Sequence, residues 1–303
     1  MKKTFYSNGK LLITGEYLVL DGAKAFALPT KFGQNLVVEN GLNKEIQWKS
    51  YDNDGSVWFE DTLTFSDIKN KTTFENQPIK NTLIEILNEG FRLNPDFLNQ
   101  SEGYIVTAQL TFPKFWGLGT SSTLINNIAQ WLSIDAFVLL KNSFGGSGYD
   151  IACAQNNSAI CYKLQNGNPI VDSVNFTPPF TKQLYFVYLN RKQNSKNAIS
   201  GYYKKQNNIS ETIPQIDAIT HAVINAQNLE TFSALLEKHE SILSHILEAE
   251  TIKENYFPDF SGTIKSLGAW GGDFVLVASE ENPIDYFKEK GYNTVVPYNE
   301  MVL

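Results

Sequence analysis

Pro113-Lys114-Phe115-Trp116-Gly117-Leu118-Gly119-Thr120-Ser121-Ser122 is a turn built of glycine and hydroxyl residues, and a helix pattern follows it at once, with Leu124, Ile125, Ile128, Ala129 and Leu132 on one side. Glycines allow backbone N–H groups to approach a ligand closely. A helix start adds unsatisfied donors and the positive end of the helix dipole. Gly117, Leu118, Gly119, Thr120, Ser121 and Ser122 are therefore candidates for a phosphate cradle, whose hydroxyls can hold phosphate oxygens or a magnesium ion. The same residue types also make an ordinary N-cap with a tight turn. The stretch is not a Walker A loop, because no Gly-Lys-Ser/Thr closes it.

Upstream of this turn the chain is strand-rich. Leu11 to Leu20 carries β-formers around Thr14-Gly15-Glu16. Asn35 to Glu39, Glu45 to Trp48, Ser56 to Glu60 and Tyr104 to Thr111 read as further strands, and Asn81 to Phe91 as a helix with one apolar face. Downstream, Phe144-Gly145-Gly146-Ser147-Gly148-Tyr149-Asp150 is a second glycine turn leading into a helix-like start. The later part reads as a separate α+β unit. It has strands at Leu184 to Leu189, Asp273 to Val277 and Asn293 to Val296, and an amphipathic helix from Phe232 to Leu247. Pro178-Pro179 is the best candidate boundary, which divides the chain into 1–178 and 179–303.

The chain has 303 residues, 42% of them hydrophobic and 13% aromatic, enough to supply a real core. Its net charge of −7 opposes binding of a polyanion such as nucleic acid, while local groups can still hold a small anion. The two cysteines, Cys153 and Cys161, match no metal spacing and read as ordinary thiols of a reducing compartment. No signal-peptide pattern opens the chain, and no apolar run approaches the roughly 20 residues that span a bilayer. These features predict a soluble, cytoplasmic protein that partners neither nucleic acid nor membrane.

The turn at Pro113-x-x-x-Gly117-Leu118-Gly119-Thr120-Ser121-Ser122 resembles the Pro-x-x-x-Gly-Leu-Gly-Ser-Ser-Ala signature of the GHMP kinases, the superfamily of galactokinase, homoserine kinase, mevalonate kinase and phosphomevalonate kinase. Two other segments fall in that family's order. Gly9-Lys10-Leu11-Leu12-Ile13-Thr14-Gly15-Glu16-Tyr17 resembles its opening motif, and Lys265-Ser266-Leu267-Gly268-Ala269-Trp270-Gly271-Gly272-Asp273 resembles its third. Either could be a plain turn in isolation; together and in order they point to the family. Gly148-Tyr149-Asp150-Ile151-Ala152 resembles the GYDIA group of bacterial GHMP kinases.

The resemblance implies an α+β fold. It comprises an N-terminal domain like ribosomal protein S5 domain 2 and a C-terminal ferredoxin-like domain, with the active site in the cleft between them. It implies ATP and magnesium as the working pair, Asp150 as the catalytic carboxylate and Lys10 as its basic partner, with Ser121 as a hydroxyl ligand of the metal. Glu16, Tyr17, Gly271, Gly272 and Asp273 are expected on the acceptor side. Arg191, Lys192, Ser195 and Lys196 are candidates for a clamp on an acidic small-molecule substrate, or else form a solvated basic loop. The Gly-Gly-Asp ending is most similar to phosphomevalonate kinases, so mevalonate or phosphomevalonate is the implied acceptor. A diphosphomevalonate decarboxylase-type lyase and a non-catalytic nucleotide-binding relative are the alternatives, and either a monomer or a homodimer is compatible.

Two departures stand out. Trp270 occupies a glycine position of the third motif. No carboxylate stands where mevalonate kinases place a magnesium-binding glutamate; Asp135 is the nearest acidic substitute.

Overall fold

Two long strands, β1 (Lys3–Thr14) and β2 (Ala25–Asn40), open the chain and pair with each other. The computed structural model describes residues 2–192, 195–204 and 209–303, apart from the side chains of 195–197. The chain forms two compact units. Met1–Gly9, Phe32–Lys114 and Leu118–Gln155 make the first; Lys10–Lys31, Phe115–Gly117 and Asn156–Leu303 make the second.

In the first unit, β3 (Glu45–Tyr51) and β4 (Val57–Thr64) form an antiparallel pair, followed by α1 (Phe65–Asn70), α2 (Pro78–Leu93), α3 (Asp96–Asn99) and β5 (Tyr104–Leu110). β5 runs parallel to β3 and antiparallel to Gln34–Asn40 of β2. Then come α4 (Thr120–Leu132), α5 (Ala136–Ser143) and α6 (Tyr149–Gln155). Period-two alternation buries Ile46 and Trp48 on β3 and Val106 and Ala108 on β5, and these pack with Leu87 of α2 and Ile125 and Ile128 of α4. Each buried valine, leucine or isoleucine among them contributes roughly 1.5–3 kcal/mol by leaving water. α1 begins on a reciprocal cap between Thr64 and Asp67, and proline at its first turn starts α2.

In the second unit, Ala25–Ala27 of β2 pairs with β6 (Ile160–Gln165), which turns back into β7 (Asn168–Ser173). Asn166 and Gly167 both have positive φ, the geometry that a two-residue hairpin turn needs. The rest comprises β8 (Leu184–Tyr188), α7 (Ser195–Lys204), α8 (Ile209–Ile224), α9 (Leu229–Leu247), α10 (Ile252–Tyr256), β9 (Thr263–Ser266), β10 (Phe274–Ala278), α11 (Ile284–Glu289), β11 (Val295–Pro297) and α12 (Tyr298–Met301). Its antiparallel sheet has the order β11-β8-β10-β9. Phe257 sits at the centre of one core, touching Phe287 and Tyr292 edge-on beside Val187, Val275 and Val277.

The strand expected over Leu11 to Leu20 stops at Thr14. Gly15 at φ +89° and Tyr17 at φ +63° turn the chain out of extended geometry, and Leu18–Asp21 winds into a 3-10 turn. No described helix is long and apolar enough to cross a membrane.

Candidate active site

Lys10 is the half-buried cation near the middle of β1, and its Nζ donates to the carbonyl of Gly117 at 3.3 Å. Both belong to the second unit. They line a recess with Trp116, Gly268 and Asp273, where a Cβ placed on Gly268 would stand 3.8 Å from that same Nζ. The opening motif, the start of the glycine turn and the third motif are thus brought together. Gly117 has φ +69°, and a Cβ there would lie 2.2 Å from Asp273 Oδ2, so no other residue fits without displacing the aspartate. The Asp273 backbone is tied down at φ +53°. Its N–H donates to the Arg191 carbonyl at 2.7 Å, and its own carbonyl accepts from Leu189 N–H at 2.8 Å.

The remainder of the glycine turn, Leu118 to Ser122, belongs to the first unit. Gly119, at φ +98°, is the residue before α4, and no side chain caps that helix start. Thr120 and Ser121 are half-buried in its first turn, where free N–H groups gather, while Ser122 is buried. The turn is supported from below. Thr123 Oγ1 donates to Gln34 Oε1 at 2.8 Å, and Asn127 Nδ2 donates to the Gln34 carbonyl at 2.9 Å. Ser7 Oγ donates to Asn127 Oδ1 and accepts from Asn126 Nδ2, each at 2.8 Å. Gln155 of α6 donates to Asn126 Oδ1 at 2.9 Å and so ties α6 to α4. Sequence reasoning missed this buried network. Its available signal was the pair Asn126-Asn127 set between Ile125 and Ile128 on a helix face that is otherwise apolar.

Asp150 is the second residue of α6, which follows Gly148 at φ +93°. Its Oδ1 is buried and has no hydrogen-bond partner among the described residues. An unsatisfied buried carboxylate oxygen is costly in a folded protein, and such groups concentrate where a reaction needs them.

Glu16 and Tyr17, expected to face the acceptor, are engaged inside the second unit. Glu16 is 2% exposed and takes a 2.7 Å bond from Lys265 Nζ. The Tyr17 hydroxyl accepts from Trp270 N–H at 2.7 Å, its ring stacks on Tyr202 at 5.4 Å, and burial pushes its pKa up to about 12. Trp270 donates from Nε1 to the Glu250 carbonyl at 3.1 Å and packs against the Tyr17, Tyr202 and Leu247 cluster. The large ring at the glycine position therefore fills a gap between Tyr17 and the end of α9. Gly271, at φ +86°, and the buried Gly272 carry the chain from Trp270 to Asp273.

Arg191 and Lys192 are exposed. Arg191 donates to the Tyr256 hydroxyl with its guanidinium 4.8 Å from that ring's centre, and Lys192 Nζ lies 5.5 Å from the Phe115 ring. The side chains of Ser195 and Lys196 lie outside the described residues. Asp135, the acidic substitute expected at the metal, caps α5: its Oδ1 accepts from Phe137 N–H at 2.7 Å and Val138 N–H at 3.1 Å. Among the described residues no group of three His, Cys, Asp or Glu side chains is arranged to hold a metal.

The fold is that of the GHMP kinases, as the motifs implied. The chain is similar to the mevalonate kinase of Methanococcus jannaschii (19% identity, 97% of this chain and 96% of that one, TM-score 0.68). It is similar to the Streptococcus pneumoniae phosphomevalonate kinase solved with phosphomevalonate and AMPPNP (15% identity, 95% of each chain, TM-score 0.68). It is similar, too, to the Lactococcus lactis galactokinase solved with galactose (12% identity, 95% of this chain and 88% of that one, TM-score 0.64). No protein-family model and no curated protein matches the sequence.

Proposed function

We propose that this protein is an ATP-dependent phosphotransferase that moves the γ-phosphate of ATP to a small acidic acceptor, mevalonate or phosphomevalonate. The observation that carries the reading is the Lys10 ammonium held against the Gly117 carbonyl, with Gly268 and Asp273 at the same recess. Phosphoryl transfer asks a protein mainly for positioning and charge neutralisation. The glycine turn and the uncapped start of α4 offer N–H groups to phosphate oxygens. Lys10 neutralises charge on the group in transfer. Asp150, with an oxygen unspent in any internal bond, accepts the proton of the acceptor hydroxyl.

Magnesium ordinarily takes most of its ligands from phosphate and water, with one or two protein oxygens. The hydroxyl-lined first turn of α4 fits that role, with Ser121 as the protein ligand; when bound, the ion neutralises phosphate charge. The Gly271-Gly272-Asp273 ending favours an acceptor of the mevalonate series. Structures of the same fold include a galactokinase, so sugars belong in the test.

The test is ADP release in a coupled assay with mevalonate, phosphomevalonate, homoserine and galactose as acceptors, with Asp150→Asn as control. Turnover on mevalonate or phosphomevalonate that disappears in the variant is the expected result. Silence on every acceptor overturns the reading, and turnover on galactose alone replaces its acceptor.

A further inference from the structure

The end of β1 and the strand leading into the third glycine turn are joined by a charged cluster sealed inside the second unit. Glu16, His239, Glu240 and Lys265 are 2%, 0%, 3% and 0% exposed. Lys265 Nζ bonds Glu16 Oε1 at 2.7 Å and the Ser266 carbonyl, and stands 3.2 Å from Glu240 Oε1. The Gly15 N–H donates to His239 Nε2 at 2.9 Å, which makes that nitrogen an acceptor and keeps the imidazole neutral. Burial, with the Lys265 charge behind it, holds His239 well below its usual pKa.

One ammonium here faces two carboxylates with no access to water. Both carboxylates ionised would leave a net negative charge in the interior, at an effective cost of several kcal/mol. A single proton removes that charge, and Glu240 is the residue to hold it. Burial raises Glu16 as well, but Lys265 bonds Glu16 Oε1 at 2.7 Å and reaches Glu240 Oε1 only at 3.2 Å, and among the described residues both Glu240 oxygens, against one of Glu16, lack a hydrogen bond of good geometry. The charged and titratable groups facing Glu240 are Lys265 on β9, Glu16 after β1 and His239 beside it on α9. Burial pushes Glu240 up to about 7, against the pull of Lys265.

We propose that Lys265 is a positioning residue, clamping the Gly15–Tyr17 turn of the Lys10 strand to the Gly268–Asp273 turn, and that Glu240 sets the strength of the clamp by holding or releasing one proton. With Glu240 protonated, the ammonium belongs to Glu16. With Glu240 ionised, two carboxylates compete for it and the grip on Glu16 loosens. The value of the clamp to catalysis rests on the reading of Lys10 as a phosphate-facing group; the clamp itself does not.

The test is hydrogen exchange of peptides covering 10–17 and 265–273, corrected for intrinsic rates, at one pH unit below and one above the value of about 7 for Glu240. In the wild type, protection of both peptides should fall by about tenfold at the higher pH, the change expected when one unit of titration is transmitted to the turn. Glu240→Gln should be equally protected at both pH values, and Lys265→Met should be unprotected at both. Should Lys265→Met fail to fold, the near-isosteric Glu240→Gln still decides. Wild-type protection that does not change with pH, or a Glu240→Gln response that follows the wild type, overturns the proposal. Calorimetry of AMPPNP with magnesium on the same samples separates the two readings. An intact exchange pattern without nucleotide binding supports the clamp and overturns the kinase assignment.

Discussion

The ammonium of Lys10 and the carbonyl of Gly117, 107 residues apart in the chain, lie 3.3 Å from one another. That contact sets a cation at the first glycine of the turn, where the third motif also arrives through Gly268 and Asp273. A half-buried ammonium at this recess, beside the backbone of the glycine turn, is placed to meet negative charge brought by a ligand.

Lys10→Met should therefore lower kcat by about 10²–10³-fold, the scale of removing one charge-stabilising group from a transfer site. The methionine keeps most of the apolar stem but gives up the contacts of the ammonium, so the thermal midpoint should fall by no more than a few degrees. Steady-state ADP release and a melting curve on the same preparation check both halves.

Asp150→Asn should lower kcat by about 10²–10⁴-fold, the range of a lost general base. Because Oδ1 of Asp150 makes no internal hydrogen bond, the amide should leave stability unchanged or slightly raised. A large loss of stability in denaturant unfolding would assign Asp150 a structural role instead.

Gly117→Ala imposes both a φ of +69° and a Cβ 2.2 Å from Asp273 Oδ2. Strain of this kind costs on the order of 1–3 kcal/mol. In an Asp273→Gly background the clash disappears, so the penalty should shrink by about 1 kcal/mol, a coupling that a double-mutant cycle in urea measures.

Glu240 and His239 should tilt the stability–pH curve in opposite directions. Glu240 is raised from 4.5 to about 7 by burial, so the folded protein holds its proton more tightly than the unfolded chain. Its contribution is complete below pH 4.5 and is lost as pH rises through about 7, on the order of 3 kcal/mol in all. His239 is held well below its ordinary 6.5, so its contribution is present above 6.5 and lost as pH falls. Between 4.5 and 6.5 the two oppose each other. Burial raises Glu16 too, so the sign is read from the change: Glu240→Gln should make the curve rise more, or fall less, with pH than the wild type's, and His239→Gln should do the reverse; urea midpoints across that interval check the signs.

Asp135→Ala should cost about 0.5–2 kcal/mol, the loss of an N-cap, and leave the magnesium dependence of activity untouched. A shifted magnesium requirement in that variant would return the residue to the metal.

The helix after the glycine turn, the apolar faces of α2 and α9, and strands β3, β4, β5, β8, β10 and β11 with the second half of β2 were legible in the sequence because hydrophobic periodicity and glycine placement are local signals, whereas β6, β7, β9 and most of β1 were not read. The order of the motif segments at Gly9–Tyr17, Gly117–Ser122, Gly148–Ala152 and Lys265–Asp273 was equally legible, since a backbone that must approach phosphate needs glycine wherever it stands. That information carried the fold class and the identity of Lys10 and Asp150 as candidates. What burial does to a side chain was not legible. Glu16 and Tyr17 read as acceptor-facing until Lys265 and Trp270 arrived to occupy them. Asp135 read as the nearest acidic substitute for a metal ligand, and that its Oδ1 takes two N–H groups of α5 is visible only in the fold. Glu240 lies on the amphipathic helix read from Phe232 to Leu247, and only tertiary packing seals it beside a lysine 25 residues further on. Local pattern fixes which groups a segment offers; only the packed chain decides which find partners inside it, because desolvation and Coulomb interaction depend on neighbours distant in sequence.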